Sequence, residues 1–330
     1  MKSRGKRLYI PLVLVIFGML VVNAAVAKED YPNKPIKAIV AFSAGGGNDQ
    51  CMRLIQPYLA KELGVPVVVE NRDGGGGEIA TTLLYREPAD GYTILSNNDE
   101  YIAVSTVLRT PAYKYEDIVP VVMELIEPRI LLVKKSSPFN TLTDIIEASK
   151  KNPGKLAFGG ATSGNQQLLL LILRERLKLD YRFVGYPGGA PSRAAMLGGH
   201  IDGAIGETAG AYYLRDQTKA VCLFYDKPSP LWPEAKPVNE QLTRYGVKLP
   251  ELALYRIYYA RRELKEKYPE RYSKLQNAFI KASKDPEYQE KAEKMGFARV
   301  QVWAPAEKYK DVLSEQIEVF RETKDLWKVK

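Results

Sequence analysis

Histidine and cysteine are almost absent from this chain of 330 residues: one His, His200, and two Cys, Cys51 and Cys222. That scarcity removes whole classes of chemistry. Zinc and related metals want clusters of His, Cys, Asp and Glu at ligand spacing, so no metal and no cofactor is expected. A Ser–His–Asp or Cys–His device needs a base, and the only His follows Gly198-Gly199 in a turn, where a solvated side chain is expected. Two distant cysteines make no disulfide framework. They read as separate buried thiols, although an oxidising compartment would permit a bridge. Charge of one sign is not in great excess either: Lys+Arg 48 stand against Asp+Glu 39, a net charge of +9. The basic residues form no long blocks after the first few positions, so nucleic acid is not an expected partner. Long apolar runs are missing beyond the N-terminus. The longest uninterrupted one, Leu168 to Leu173, is far too short to cross a bilayer.

The N-terminus itself is different. Lys2, Arg4, Lys6 and Arg7 precede an apolar stretch from Leu8 to Val22, and Ala25-Val26-Ala27 is a small-x-small cleavage motif. This is the pattern of a secretory signal peptide cleaved after Ala27; the competing reading is an uncleaved anchor. No Cys stands near the cleavage site, which excludes a lipid-anchored lipoprotein. Removing the four basic residues of the leader leaves 44 basic against 39 acidic side chains, or +5. A mild positive excess of this kind helps steer a small anion to the protein.

The stretch Ile36 to Asp49, IKAIVAFSAGGGND, predicts a buried strand running into a glycine loop that opens a helix. Asn48 and Asp49 are both good N-cap residues. Unpaired N–H groups at the positive end of a helix make a ready anion site. A phosphate loop would need Lys and Ser or Thr after the last Gly, where Asn48 and Asp49 stand; a dinucleotide loop would need a third Gly, where Gln50 stands. A small carboxylate needs neither. A plain turn whose glycines only make room is the alternative.

The pattern continues with a helix carrying Met52, Ile55, Leu59 and Leu63 on one face, expected to kink or shorten at Pro57. A strand over 65–70, a second glycine turn at Gly74 to Gly77, a helix over 78–86 and a strand over 92–96 complete a β-α-β-α-β unit, which predicts a parallel sheet with helices on both faces. A similar pattern restarts at Ile130. Thr141 caps a helix to Lys151, with Asp144 placed for a capping box. A strand over 155–158 then runs into a second polar glycine loop, Gly159 to Asn165, and a helix over 166–177. Strands over 181–186 and 202–206 and a strand-like run over 220–225 follow. Two strand–loop–helix anion sites facing one another are what a clamshell binder needs. Arg261 to Gly296 reads as charged helix, and Ala306 to about Trp327 as a final helix packing on the first domain.

Several stretches together resemble one family: YPNKPIKAIVAFSAGGGND (31–49), LGVPVVVENRDGGGG (63–77), ADGYTIL (89–95), NPGKLAFGGATSGN (152–165), FVGYPGGAP (183–191) and LGGHID (197–202). In this order and spacing the chain is similar to the substrate-binding proteins of tripartite tricarboxylate transporters, the TctC or Bug family. The resemblance implies an α/β fold of the two-lobed type II periplasmic binding protein, each lobe a mainly parallel sheet flanked by helices, with the ligand cleft between the lobes. It implies residues 1–27 as signal peptide, 28–128 plus 226–330 as lobe 1 and 129–225 as lobe 2. It also implies no catalysis, a periplasmic location, a monomer, a small organic acid as ligand and a membrane permease pair as partner. Carried over residue by residue, the first ligand loop is Phe42, Ser43, Ala44, Gly45, Gly46, Asn48 and Asp49, with Asp49 as the helix cap. Ser96 and Asn97 line the same lobe. The second loop is Gly160, Thr162, Ser163, Gly164, Asn165 and Gln166, with Gly189, Ala190 and Glu207 beside it. Departures from the family pattern surround the site: Ala41 and Ala44 replace two prolines, Gln166 and Gln167 stand near a frequent His, Glu207 is unusual, and 258–264 reads YYARREL. The implied ligand is therefore a carboxylate of unspecified body.

Two other functions fit parts of the pattern. A secreted hydrolase or lyase would pair Asp49 with Glu207 as acid and base across the cleft. A sensory protein would use the same fold and hand its ligand state to a receptor.

Overall fold

A computed structural model describes residues 30–162 and 164–328. The expected signal peptide and Ser163 lie outside the described residues. In chain order the first half comprises β1 (Ile36–Val40), α1 (Gly47–Leu63), β2 (Val67–Asn71), α2 (Glu78–Arg86), β3 (Thr93–Asn98), α3 (Asp99–Leu108), β4 (Ile118–Glu127), β5 (Arg129–Lys134), α4 (Leu142–Lys151), β6 (Ala157–Ala161) and α5 (Asn165–Leu177). The second half comprises β7 (Arg182–Tyr186), α6 (Gly189–Gly198), β8 (Gly203–Glu207), β9 (Thr218–Phe224), α7 (Val238–Leu242), β10 (Leu254–Arg261), α8 (Arg262–Lys267), α9 (Pro269–Ala282), α10 (Pro286–Lys294), β11 (Gln301–Pro305) and α11 (Lys310–Glu322).

Two sheets result. The first has the order β11-β4-β10-β3-β1-β2 and the second β7-β6-β8-β5-β9. In β1, Ile36, Ala38, Ile39 and Val40 are buried, so both faces are covered, as a strand inside βαβ units requires. β1 pairs parallel with β2 and β3, and β6 pairs parallel with β7 and β8. β10 runs antiparallel to β3 and β4, β11 to β4, and β5 to β8 and β9. Both sheets are thus mixed rather than mainly parallel. Helical crossovers make the parallel part, and strands returning from the other sheet make the antiparallel part. The chain passes from the first sheet to the second between Glu127 and Arg129, with Pro128 alone between β4 and β5. The segment after β9, including α7, stays with the second sheet, since the Leu223 N–H donates to the Lys236 carbonyl (2.9 Å) and Leu223 bridges in parallel to Pro237; the chain rejoins the first sheet at β10.

Three helices depart from expectation. α1 runs unbroken through Pro57, which lies on its exposed side together with Arg53, the residue whose carbonyl Pro57 cannot bond. The charged stretch after Arg261 is three helices, each break marked by a proline at the next helix start, Pro269 and Pro286. α11 straddles both halves. Its Leu313 joins the cluster of Ile39, Leu95 and Tyr255, while Ile317 and Phe320 join Leu169, Leu173 and Leu131 around the second sheet. α4 is capped as its sequence predicts, with Thr141 Oγ1 accepting from the Asp144 N–H and the Asp144 carboxylate accepting from Thr141.

Candidate ligand site

The first loop leaves a helix start open. α1 has Gly46 as N-cap and no side-chain cap, so Asn48 and Asp49 fall inside its first turn instead of capping it. Asp49 is drawn back by better donors. Its carboxylate accepts from the Gly45 N–H (2.8 Å), from Arg53 Nε (2.8 Å) and from Asn71 Nδ2 (3.0 Å). Burial raises the Asp49 pKa, but these donors outweigh it and hold the group below its usual 3.8. Asn71 also donates to the Phe42 carbonyl (2.9 Å), fastening the end of β2 to the loop. The first N–H groups of α1, beginning at Gly47, have no intrahelical acceptor.

Arg256 lies directly behind that open end. It sits in the middle of β10, is 4% exposed, and forms no ion pair among the described residues. Its Nε donates to Asn48 Oδ1 (3.2 Å) and its Nη1 to Cys51 Sγ (2.9 Å). Its Nη2 would stand 3.0 Å from a Cβ at Gly47, so only glycine allows the guanidinium this close to the loop. The second donor of Asn48, Nδ2, is buried without a partner. A guanidinium, a side-chain amide and a helix N-terminus therefore converge on one place; Glu124 and Glu127 are near the guanidinium but form no ion pair with it among the described residues. Cys51 is not that anion: burial pushes its thiol well up, against the pull of Arg256. Cys51 and Cys222 are both buried and unbridged.

The second half is built differently. β6 continues through Gly159, Gly160 and Ala161, so the polar loop expected from Gly159 shrinks to 162–164. Gln166, at the start of α5, accepts the Ala161 N–H on Oε1 (2.6 Å) and donates through Nε2 to Glu207 Oε1 (2.5 Å). Arg129 donates to Glu207 and also to Glu100 Oε1 (2.6 Å), and Arg193 Nη1 donates to Glu207 Oε2 (3.0 Å). Burial opposes ionisation of Glu207, yet Arg129 and Arg193 hold its pKa below the usual range. A Cβ at Gly189 would lie 2.9 Å from Arg193 Nη1 and 3.2 Å from both Gln166 Nε2 and Glu207 Oε2, so the turn before α6 closes over this cluster. Next to it, Glu127 Oε1 accepts the N–H groups of Ala209 and Gly210, each at 2.8 Å. Burial, and then the neighbouring Glu207, push the Glu127 carboxyl up.

A cavity of about 630 Å³ is lined from both halves. Of the residues expected at a ligand site, Phe42, Gly46, Asn48, Thr162, Gly189, Ala190 and Glu207 face it. Ser43, Ala44, Gly45 and Asp49 shape the back of the first loop. Ser96 and Asn97 stand behind Asn98, which lines the cavity, and Asn97 Nδ2 donates to Thr81 (3.1 Å). Gly160 and Gln166 support Glu207 from below, and Gly164 lies against the Tyr101 ring. Asn165 faces away, donating to the Ala253 carbonyl (2.8 Å) and to Gln316 (3.0 Å) of α11. Asp49 and Glu207 hold separate partners and form no acid–base pair with each other. His200 is exposed in a turn after α6. Sequence reasoning missed Arg256, Arg129, Arg193, Glu127 and Tyr101, all of which line the cavity. The one available signal was a charged residue amid an apolar strand, LYRIYYAR.

Known proteins share this architecture. The family model described as "Tripartite tricarboxylate transporter family receptor" matches residues 51–322. Among curated relatives, the protein BugT of Bordetella pertussis is 34% identical over 198 residues, 57% of this chain and 60% of that protein. The chain spans about half to three-fifths of the length of the first curated relatives it matches. A solved "periplasmic transporter" superposes with a TM-score of 0.74 at 24% identity, covering 91% of this chain and 99% of the other. MatC of Rhodopseudomonas palustris, solved with bound malate, gives 0.71 at 22% identity over 90% and 100% of the two chains. A protein of R. palustris solved with adipate gives 0.73 at 22% identity over 90% and 98%.

Proposed function

The chain belongs to the tripartite tricarboxylate transporter receptor family, and on that premise we propose that it is a periplasmic solute-binding protein that captures a small carboxylate and delivers it to a membrane permease. The observation that carries this reading is Arg256, a buried cation without an ion pair among the described residues, set against the open start of α1 inside the cavity. A buried charge of this kind is costly until an anion joins it, so the empty state is poised to bind one. The malate and the adipate held by two proteins of the same fold favour a carboxylate over other anions. The leader pattern of residues 1–27 favours export. The two sheets are the two lobes in this reading; residues 226–253, expected with the first lobe, go with the second, and the crossings at Pro128 and before β10 are the hinges about which the lobes close on the ligand. Nothing in the site calls for catalysis, since the carboxylates facing the cavity are held by arginines and backbone amides.

A thermal-shift screen of mono-, di- and tricarboxylates tests the reading. A ligand at a hundred times its Kd stabilises the folded state by about 2.7 kcal/mol, enough to raise Tm by several degrees. At least one acid should do so. If no acid shifts Tm and none copurifies with the protein, the carboxylate reading fails.

A further inference from the structure

We propose that the site accepts one carboxylate per ligand and rejects a second, because the protein's own Glu207 already fills the second anion position. This rests on the carboxylate reading above and narrows it to monocarboxylates with an uncharged body. The two ends of the cavity differ in what their donors do. At the α1 end, Arg256 Nη2, Asn48 Nδ2 and the first N–H groups of the helix have no anionic partner among the described residues. At the opposite end the two arginines already hold a carboxylate of the protein. Arg193 and Arg129 both bind the Glu207 carboxylate, and Arg129 binds Glu100 as well. Gln166 binds Glu207 through its amide nitrogen and takes the Ala161 N–H with its oxygen, so the N–H that closes β6 is occupied too. The Ala209 and Gly210 amides are held by Glu127.

A dicarboxylate laid along the cavity would bring its far end against the carboxylates of Glu127 and Glu207, where both arginines already hold Glu207. Like charges in a water-poor site repel strongly, and the protein's carboxylates cannot leave without stranding two buried arginines. A ligand amine would not replace the arginines either, because Glu207 is already doubly paired. An uncharged end meets no such penalty. The wall between the ends suits it: Phe42 and Tyr101 stand edge to face with centroids 5.2 Å apart, and Leu254 and Phe297 line the same space.

Isothermal titration with end-matched acids tests this in the wild-type protein. Hexanoate, adipate and 6-aminohexanoate differ only at the far end, and benzoate and terephthalate form a second pair. The monocarboxylate of each set should bind at least 10-fold tighter than its partners. In Glu207→Gln, which frees Arg193, the dicarboxylate should gain at least 10-fold. Adipate or terephthalate binding the wild type as tightly as the monocarboxylate would overturn the inference and leave the carboxylate function standing. Tighter binding of 6-aminohexanoate would overturn it likewise. Binding of none of the five would overturn the inference, while the carboxylate reading is decided by the wider acid screen. Should Glu207→Gln fail to fold, the wild-type comparison still decides.

Discussion

At the scale of single residues the site turns on which charges are answered. Arg129 and Arg193 are answered by Glu100 and Glu207 in direct ion pairs, whereas Arg256 donates to an amide oxygen and a thiol, with Glu124 and Glu127 near it but in no ion pair with it among the described residues. Those two neutral contacts hold its Nε and Nη1 and leave Nη2 beside Gly47 at the start of α1. Asp49 has a separate task, which is to hold the loop. Its pKa lies below 3.8, so the stability it contributes is complete above that pH and is lost as pH falls toward its lowered value. The stability difference between wild type and Asp49→Asn, from urea unfolding, should therefore be largest near neutral pH and shrink below about pH 4. A difference that stayed constant down to pH 3 would show that the carboxylate charge plays no part.

At the scale of elements, legibility followed local consistency. The α4 helix announced itself through Thr141, Asp144 and the buried row Leu142, Ile145 and Ile146, and it appears where expected. Replacing Thr141 by Ala should cost about 1 kcal/mol and raise hydrogen exchange first at the start of α4. Unchanged exchange there would remove the cap from the account. β10, β4 and α3 were not read, and in each a charged residue interrupts the apolar pattern: Arg256, Glu124, and the pair Asp99-Glu100. All four are fully or nearly fully buried and held by specific partners, a condition no periodicity reveals. Gly159 misled in the opposite direction. It looks like a turn, but it lies within β6, where a Cβ would come within 2.6 Å of Ile201 and 2.9 Å of Tyr186. Its role is close approach between strand and neighbours, and sequence alone cannot tell that from a loop.

At the scale of the whole molecule, two mixed sheets, linked at Pro128 and again before β10, line a shared cavity. The opening strand and its glycine loop supply one end of it. The other end comes from β6, α5, α6 and β8, and it arrives already holding a carboxylate of the protein itself. The resemblance read from the sequence points to these loops, and the structure sets Arg256 beside the first of them, which under the proposed function is what an anion would meet. Native mass spectrometry of protein purified without dialysis against competing acids, wild type beside Arg256→Met, tests that claim most directly. The wild type should carry a mass increment that identifies a small organic acid, and Arg256→Met, folded to the same degree, should carry none, in line with the loss of about 2–5 kcal/mol expected when one partner of a buried charge pair is removed. An identical increment on both proteins, or an increment from a molecule with no acidic group, would contradict it.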